Sequence, residues 1–230
     1  MTTKLRNYLH EKMYDVSAWI HQSKRNKRAR QRLKNHSFSI LTNYCIGGVI
    51  YHDLGIKFSS PTINMYIYPD DFIKMVNDIQ HYLRAELIED VNNRYRFPVG
   101  ILDDIKIYFI HYSSFSECFD TWERRKQRIN FDNLFIMMNE KVVCFEDENK
   151  SRCCSDETFR NFEKLPYENK IFFTRDKKYK KIPGFAYLKY YARKPFVNLP
   201  NELMPLNGKR RFEKDFDYVS FLNKGGNSNV

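Results

Sequence analysis

The stretch Phe38-Ser39-Ile40-Leu41-Thr42-Asn43-Tyr44-Cys45-Ile46-Gly47-Gly48 decides how this chain is read. A run of apolar and β-compatible residues from His36 to Thr42 predicts a core strand, Asn43 breaks it, and a glycine pair leads into Val49-Ile50-Tyr51-His52-Asp53-Leu54-Gly55. The predicted order is strand, turn and short helix. In an open α/β sheet, ligand-binding groups gather beyond the carboxyl ends of such strands, where loops and helix N-termini expose N–H groups. Asn43 to Gly48 therefore forms one wall of a candidate site.

The pattern repeats outward. Thr62 to Ile67 reads as a second strand, and Pro69-Asp70-Asp71 announces a helix from 70 to about 84. A short strand is expected around Glu86 to Val91, and another at Ile105 to Tyr112, whose alternation puts Ile105, Ile107 and Phe109 on one face. Ser114 to about Arg128 is a helix with the stripe Phe115, Phe119, Trp122, and Leu134 to Met138 a buried strand. Cys144 to Ser155 is a polar connection, Asp156 to Leu165 a helix, and Ile171 to Thr174 and Phe185 to Tyr190 are strands. Asp176 to Lys181 reads as a solvated loop, 195–214 as irregular, and Asp215 to Leu222 as a final helix. Strands separated by helices point to a three-layer α/β/α fold with a mainly parallel sheet.

Ahead of it lies a basic N-terminal helix. Residues 4 to about 34 carry Leu5, Leu9, Met13, Val16 and Ile20 near helical spacing. Their second half, Lys24 to Lys34, holds seven basic residues and no acid, within a net charge of +11. Such a segment either lies against an acidic surface or projects into solvent. The expected organisation is a helical extension at 1–35, one α/β domain at 36–223 and a flexible tail at 224–230. Few aromatic residues interleave with the charges, so nucleic acid is disfavoured, and peripheral contact of residues 24–34 with anionic lipid is the better partner reading.

At 42% hydrophobic and 16% aromatic residues, the chain can build a core. No stretch reaches the roughly 18 apolar residues of a bilayer span, and Met-Thr-Thr-Lys-Leu-Arg lacks the apolar centre of a secretory signal. The expectation is a cytoplasmic protein, peripheral on the inner face of the cytoplasmic membrane where it touches lipid. Five cysteines, two of them the adjacent Cys153-Cys154, are expected reduced.

The candidate chemistry centres on Cys45 as a nucleophile, with His52, Asp53 and His111 as its acid–base partners, and with Asn43, Gly47 and Gly48 lining a substrate. The competing reading makes Cys45 a small core residue and the glycines a close helix-to-sheet contact. A second block runs from Trp122 to Asn133. There Arg124, Arg125 and Arg128 share helical turns and suit a phosphate or carboxylate, with Asn130 and Asp132 following at the turn; the alternative is a solvated arginine face and a plain turn. The acid pairs Asp70-Asp71 and Asp103-Asp104 invite metal-dependent glycosyl transfer, but acids at Asp70-Asp71 equally complement a helix dipole. Neither the zinc pattern nor the full dinucleotide or P-loop glycine pattern is present, so no metal and no tightly bound cofactor is expected.

Taken in order, Phe38 to Gly48, Tyr51-His52-Asp53-Leu54-Gly55, Ser60-Pro61-Thr62, Pro69-Asp70-Asp71-Phe72, Pro98-Val99-Gly100, His111-Tyr112, Trp122-Glu123-Arg124-Arg125 and Asn130-Phe131-Asp132-Asn133-Leu134 resemble a bacterial family catalogued as domain of unknown function 1919. The resemblance covers roughly residues 36 to 190 and leaves the basic helix outside. Members are commonly labelled exopolysaccharide-biosynthesis proteins, and some acetyltransferases. The resemblance thus implies a layered α/β fold and a place in capsule, lipopolysaccharide or exopolysaccharide assembly, and it brings no catalytic residues with it. Together these expectations describe a transferase, acyl before glycosyl, with acetyl-CoA as donor and a sugar or lipid-linked saccharide as acceptor. The alternatives are a nucleotide-sugar glycosyltransferase and a non-catalytic accessory protein of the polysaccharide machinery.

Overall fold

Alternation of apolar side chains along the central strands is the feature that orders the whole molecule. In a computed structural model, residues 20–147, 150–189 and 209–225 are described. Their elements begin with helix α1 (20–32), strand β1 (Ser39–Thr42), α2 (Ile46–Leu54), β2 (Tyr66–Ile67), α3 (Pro69–Asn77) and α4 (Ile79–Arg84). There follow β3 (Leu87–Glu89), β4 (Val99–Leu102), β5 (Ile105–Tyr108), α5 (Phe115–Lys126), β6 (Leu134–Asn139), β7 (Lys141–Val142) and β8 (Arg152–Cys153). The chain continues through α6 (Asp156–Glu163), β9 (Lys170–Thr174), β10 (Phe185–Tyr187) and α7 (Tyr218–Leu222).

Four strands form a parallel sheet in the order β1-β6-β9-β10. Ile40, Phe135, Met137, Ile171 and Phe173 point to one face and meet Ala29 of α1 and Leu33 just after it, Ile50 and Tyr51 of α2, and Val219 and Leu222 of α7. Leu41, Ile136, Met138 and Phe172 point to the other and meet α3, α5 and α6. Period-two alternation with both faces covered is what makes a parallel sheet the middle of three layers, so the layered α/β expectation is met.

The segments 62–67, 86–91 and 98–112 do not join that sheet. They form a second, antiparallel one in the order β2-β5-β4-β3. Between Leu102 and Ile105 only Asp103 and Asp104 intervene, Asp103 in the left-handed region (φ 55°); two-residue connections make hairpins, not parallel neighbours. The strand expected at Thr62 to Ile67 shrinks to Tyr66–Ile67 because Asn64 is also left-handed (φ 64°). What precedes it covers the open edge of β1 with side chains: the Thr42 N–H donates to Thr62 Oγ1 (2.9 Å), and the Ile40 N–H to the Tyr51 hydroxyl (3.0 Å). The helix expected at 70–84 is divided at Asp78, whose carboxylate accepts from the His81 N–H and starts α4. The connection after Cys144 contributes β8, which pairs with β7. The expectations for residues 4–19, for most of 195–214 and for 226–230 lie outside the described residues.

The basic run is docked, as the acidic-surface reading of it expected. Ala29 and Leu33 bury one side of α1. Beside them Arg25 is buried, ion-paired to Asp53 at 2.9 Å and also to Glu213. Arg210 Nε reaches the same carboxylate at 2.9 Å, Arg30 donates to the Asp53 carbonyl at 3.2 Å, and Arg32 pairs with Asp217. Burial opposes ionisation of Asp53, but the Arg210 hydrogen bonds and the charges of Arg25 and Arg210 outweigh it and hold the carboxyl below its usual range.

With a folded-state pKa below the unfolded one, this carboxylate stabilises the protein above the ordinary aspartate range, and the contribution is lost as pH falls through the folded value. Asp53→Asn takes the shared carboxylate from the buried Arg25, which keeps only the Glu213 ion pair among the described residues, and from the half-buried Arg210, and we expect a loss of about 3 kcal/mol in chemical denaturation at neutral pH. The variant should also lose the acid-side part of the wild-type stability profile; an unchanged denaturation midpoint would refute the role.

Candidate active site

Strand β1 ends on a buried amide. Asn43 Nδ2 donates to the Asn139 carbonyl (3.0 Å), and its Oδ1 accepts from the Asn139 N–H (2.8 Å), so the carboxyl ends of β1 and β6 are tied together. From there the chain leaves β1 through α2 on one face of the sheet, and leaves β6 through the β7–β8 ribbon toward α6 on the other. Divergence of this kind opens a crevice at strand ends. Cys45 stands at its rim as the N-cap residue of α2.

Gly47 and Gly48 press the helix against the sheet. A Cβ on Gly47 would lie 2.8 Å from Thr42 Cγ2 and 3.1 Å from Ile63 Cδ1, and one on Gly48 would strike the Asn64 side chain. Both glycines are buried and serve the close helix-to-sheet contact. They hold Cys45 directly over the strand ends.

The partner of Cys45 comes from the second sheet. After β5 the chain turns, Tyr112 N–H to the Phe109 carbonyl (3.0 Å), and this presents His111 with Nε2 at 3.3 Å from Cys45 Sγ. Arg125 braces the turn from α5: its Nη1 donates to the Tyr112 hydroxyl (2.9 Å) and to the Ile63 carbonyl (3.0 Å). Burial pushes the Cys45 thiol up to about 11, partly offset by a backbone hydrogen bond. At neutral pH the sulfur therefore carries its proton, and a base is needed to make it a nucleophile.

The other expected residues are placed elsewhere. His52 and Asp53 lie at the far end of α2, His52 exposed and 3.4 Å from the Asp53 carboxylate, which the arginines already engage. Trp122 is wholly buried in the core, and its indole N–H meets no partner among the described residues. Arg128 donates to the Phe58 carbonyl (3.3 Å), Arg124 to Thr121 Oγ1 (3.2 Å), and Arg125 also sits over the Phe58 ring. Two of the three arginines thus hold the 58–63 segment against β1. Asn130 binds Ser39 Oγ and the Ser37 carbonyl at the amino end of β1, and its side chain accepts from the Asp132 N–H, so this pair occupies the opposite end of the sheet from Cys45. Asp103 pairs with His81 and Asp104 with Lys74.

Beside the Cys45–His111 pair stands an aromatic cluster that the sequence reading did not pick out. Tyr44 packs edge-on against Tyr66 (6.0 Å), and Tyr66 against Phe145 (5.5 Å) and Tyr108 (6.0 Å), with Tyr95 and Phe97 joining from the 92–98 turn. Tyr66 donates to the Lys141 carbonyl (2.9 Å) and accepts from the Val143 N–H (3.0 Å), so the cluster roofs the ends of β6 and β7. Only the alternation Arg94-Tyr95-Arg96-Phe97 hinted at it; the other rings come from distant segments.

Over residues 16–223 the chain matches the family described as domain of unknown function (DUF1919), and it belongs to that family. It is 33% identical over 198 residues to an uncharacterized protein of Haemophilus influenzae (strain Rd), a stretch that covers 86% of this chain and 90% of that protein. The family match takes in the basic run of α1 and α7, beyond the 36–190 span on which the resemblance rested. No described helix is long and apolar enough to cross a membrane.

Site-resolved alkylation tests the state of the thiol. With its pKa at about 11, the labelling rate of Cys45 should climb roughly tenfold per pH unit from neutral pH to about 10 without levelling. A plateau at or below about 8.5, the value of an unperturbed thiol, would contradict the burial argument.

Proposed function

We propose that this DUF1919 protein is an acyltransferase of surface-polysaccharide biosynthesis that carries an acetyl group on Cys45 from acetyl-CoA to a hydroxyl of a sugar or lipid-linked saccharide. The observation that supports it is the 3.3 Å approach of Cys45 Sγ to His111 Nε2 at the carboxyl ends of the parallel strands. A nucleophile and base within hydrogen-bond reach are the parts that covalent group transfer needs.

In the first half-reaction His111 takes the Sγ proton as sulfur attacks the thioester carbonyl. The bond to coenzyme A breaks, and its thiolate leaves with that proton. A sugar hydroxyl then attacks acetyl-Cys45, His111 accepts the hydroxyl proton, and the ester forms as the proton returns to Sγ. Two thioesters exchange in the first step, so little free energy is lost before the acceptor arrives. First-turn N–H groups of α2 have no intrahelical partner and lie at the Cys45 end, where negative charge on the carbonyl oxygen develops. Lys24, Lys27 and Arg28 remain exposed on the outer side of the docked α1, which supports contact with anionic lipid at the cytoplasmic face of the membrane.

Intact-mass measurement after incubation with acetyl-CoA should find a single added acetyl group on wild type and none on Cys45→Ala. His111→Ala should acetylate about 10²-fold or more slowly. Cells lacking the gene should make a polysaccharide short of acetyl ester. A polymer lacking a sugar would support glycosyl transfer instead, and absence of both the protein adduct and any polymer change would sink the proposal.

A further inference from the structure

Outside the Cys45–His111 pair, a cleft of about 790 Å³ opens on the far side of the tyrosine cluster. Its size lies within the usual range of small-molecule sites, roughly 300–1,000 Å³. Tyr95, Phe97, Tyr108 and Phe145 line it, together with Arg94 and Arg96. Phe145 stacks on Tyr108 at 5.0 Å and Tyr95 on Phe97 at 5.3 Å, so the rings form a fixed apolar surface.

The turn carrying the arginines is built rather than loose. Asn93 Nδ2 donates to the Phe97 carbonyl (2.6 Å), and its Oδ1 accepts from the Tyr95 N–H (2.9 Å). The acids of the cleft are already engaged: Asp90 by Lys106 at 2.7 Å, and Glu146 by the Tyr95 hydroxyl at 2.6 Å. Arg94 and Arg96, both exposed, have neither ion pair nor hydrogen bond among the described residues. Two uncommitted guanidinium groups beside rigid aromatic faces make a surface with affinity for an anion and for an apolar ring at once. Guanidinium binds phosphate bidentately, and aromatic faces pack on the C–H faces of a pyranose.

The geometry points to this cleft as the binding site of a phosphorylated saccharide, with phosphate on Arg94 and Arg96 and the sugar on Tyr95 and Phe97. The inference deepens the transferase reading and rests on it for the choice of a saccharide. Continuity supports the link, since Tyr44, the neighbour of Cys45, reaches the cleft rings Tyr108 and Phe145 through Tyr66.

Calorimetric titration of the full chain with glucose 1-phosphate, UDP-glucose, glucose and inorganic phosphate tests it without turnover. Either phosphorylated sugar should bind at least tenfold more tightly than phosphate or glucose alone. The double variant Arg94→Ala/Arg96→Ala, at exposed positions, should weaken that binding at least tenfold. Phe97→Leu should weaken binding of the phosphorylated sugar while leaving the response to phosphate alone unchanged. His111→Ala should bind as wild type does, so a failed acetyl assay with intact binding removes the chemistry and keeps the cleft. Equal affinity for phosphate and phosphorylated sugar, no binding by any of the four probes, or binding indifferent to the arginine variant would each overturn the assignment.

Discussion

The reciprocal hydrogen bonds between the Asn43 side chain and the Asn139 backbone are the interaction on which the candidate site depends. Asn43 is fully buried, where an amide that lost its partners would cost about 1–3 kcal/mol per unsatisfied group. Only a carboxamide offers a donor and an acceptor in the spacing that a strand-end backbone presents, and Asn carries it on the short stem used here, so a hydrophobic or even a carboxylate replacement cannot serve both directions. This one residue closes the gap between β1 and β6 where the two chain paths separate toward opposite faces. Asn139 then extends the arrangement, its Oδ1 accepting from the Lys141 N–H at 2.9 Å and turning the chain into β7.

Charge is spent on architecture in much the same way. Of the two readings open for a run of seven cations, against an acidic surface or into solvent, the first holds for part of it: Arg25, Arg30 and Arg32 are drawn onto Asp53, Glu213 and Asp217, while Ala29 and Leu33 are buried beside them. Asp53 sits two residues before the helix-ending Gly55 and gathers Arg25 of α1 and the distant Arg210 around one carboxylate. The family match, which begins at residue 16, takes this helix in, and α1 completes the layer over one face of the sheet.

How much of this could be read beforehand follows from the range of each interaction. Buried runs such as Leu134 to Met138 and the Asn43 break are local signals, and the parallel strands and the position of Cys45 followed from them. The antiparallel sheet was hidden because short strands of two to four residues look alike whichever way their partners run; only the two-residue Asp103-Asp104 link carried the answer. Cys45 and His111 lie 66 residues apart, both at the ends of predicted strands, and the structure brings them to 3.3 Å. His52, by contrast, is near Cys45 only in sequence, and two turns of helix carry it away. Trp122 and Arg125 looked like ligands because Trp and Arg are rich in chemistry, yet a fully buried indole and a guanidinium shared between Ile63 and Tyr112 are what hold α5 and the 58–63 segment in place.

Burial of Cys45 bears differently on each species of the proposed cycle. A low-dielectric setting disfavours the thiolate, which is why the thiol is pushed up to about 11, but it exacts nothing comparable from a neutral thiol or a neutral thioester. The same surroundings that keep the resting sulfur quiet toward stray electrophiles leave an acyl-cysteine unpenalised. The only charged species the site must support is then the one formed as the acyl group moves, and there His111 at 3.3 Å takes up the proton in the same step. On this account the nucleophile is controlled by proton transfer at the moment of reaction and not by a standing thiolate, so the position of the histidine ring, set by the Phe109–Tyr112 turn and braced by Arg125 through Tyr112, governs reactivity more than the electrostatics of the helix end.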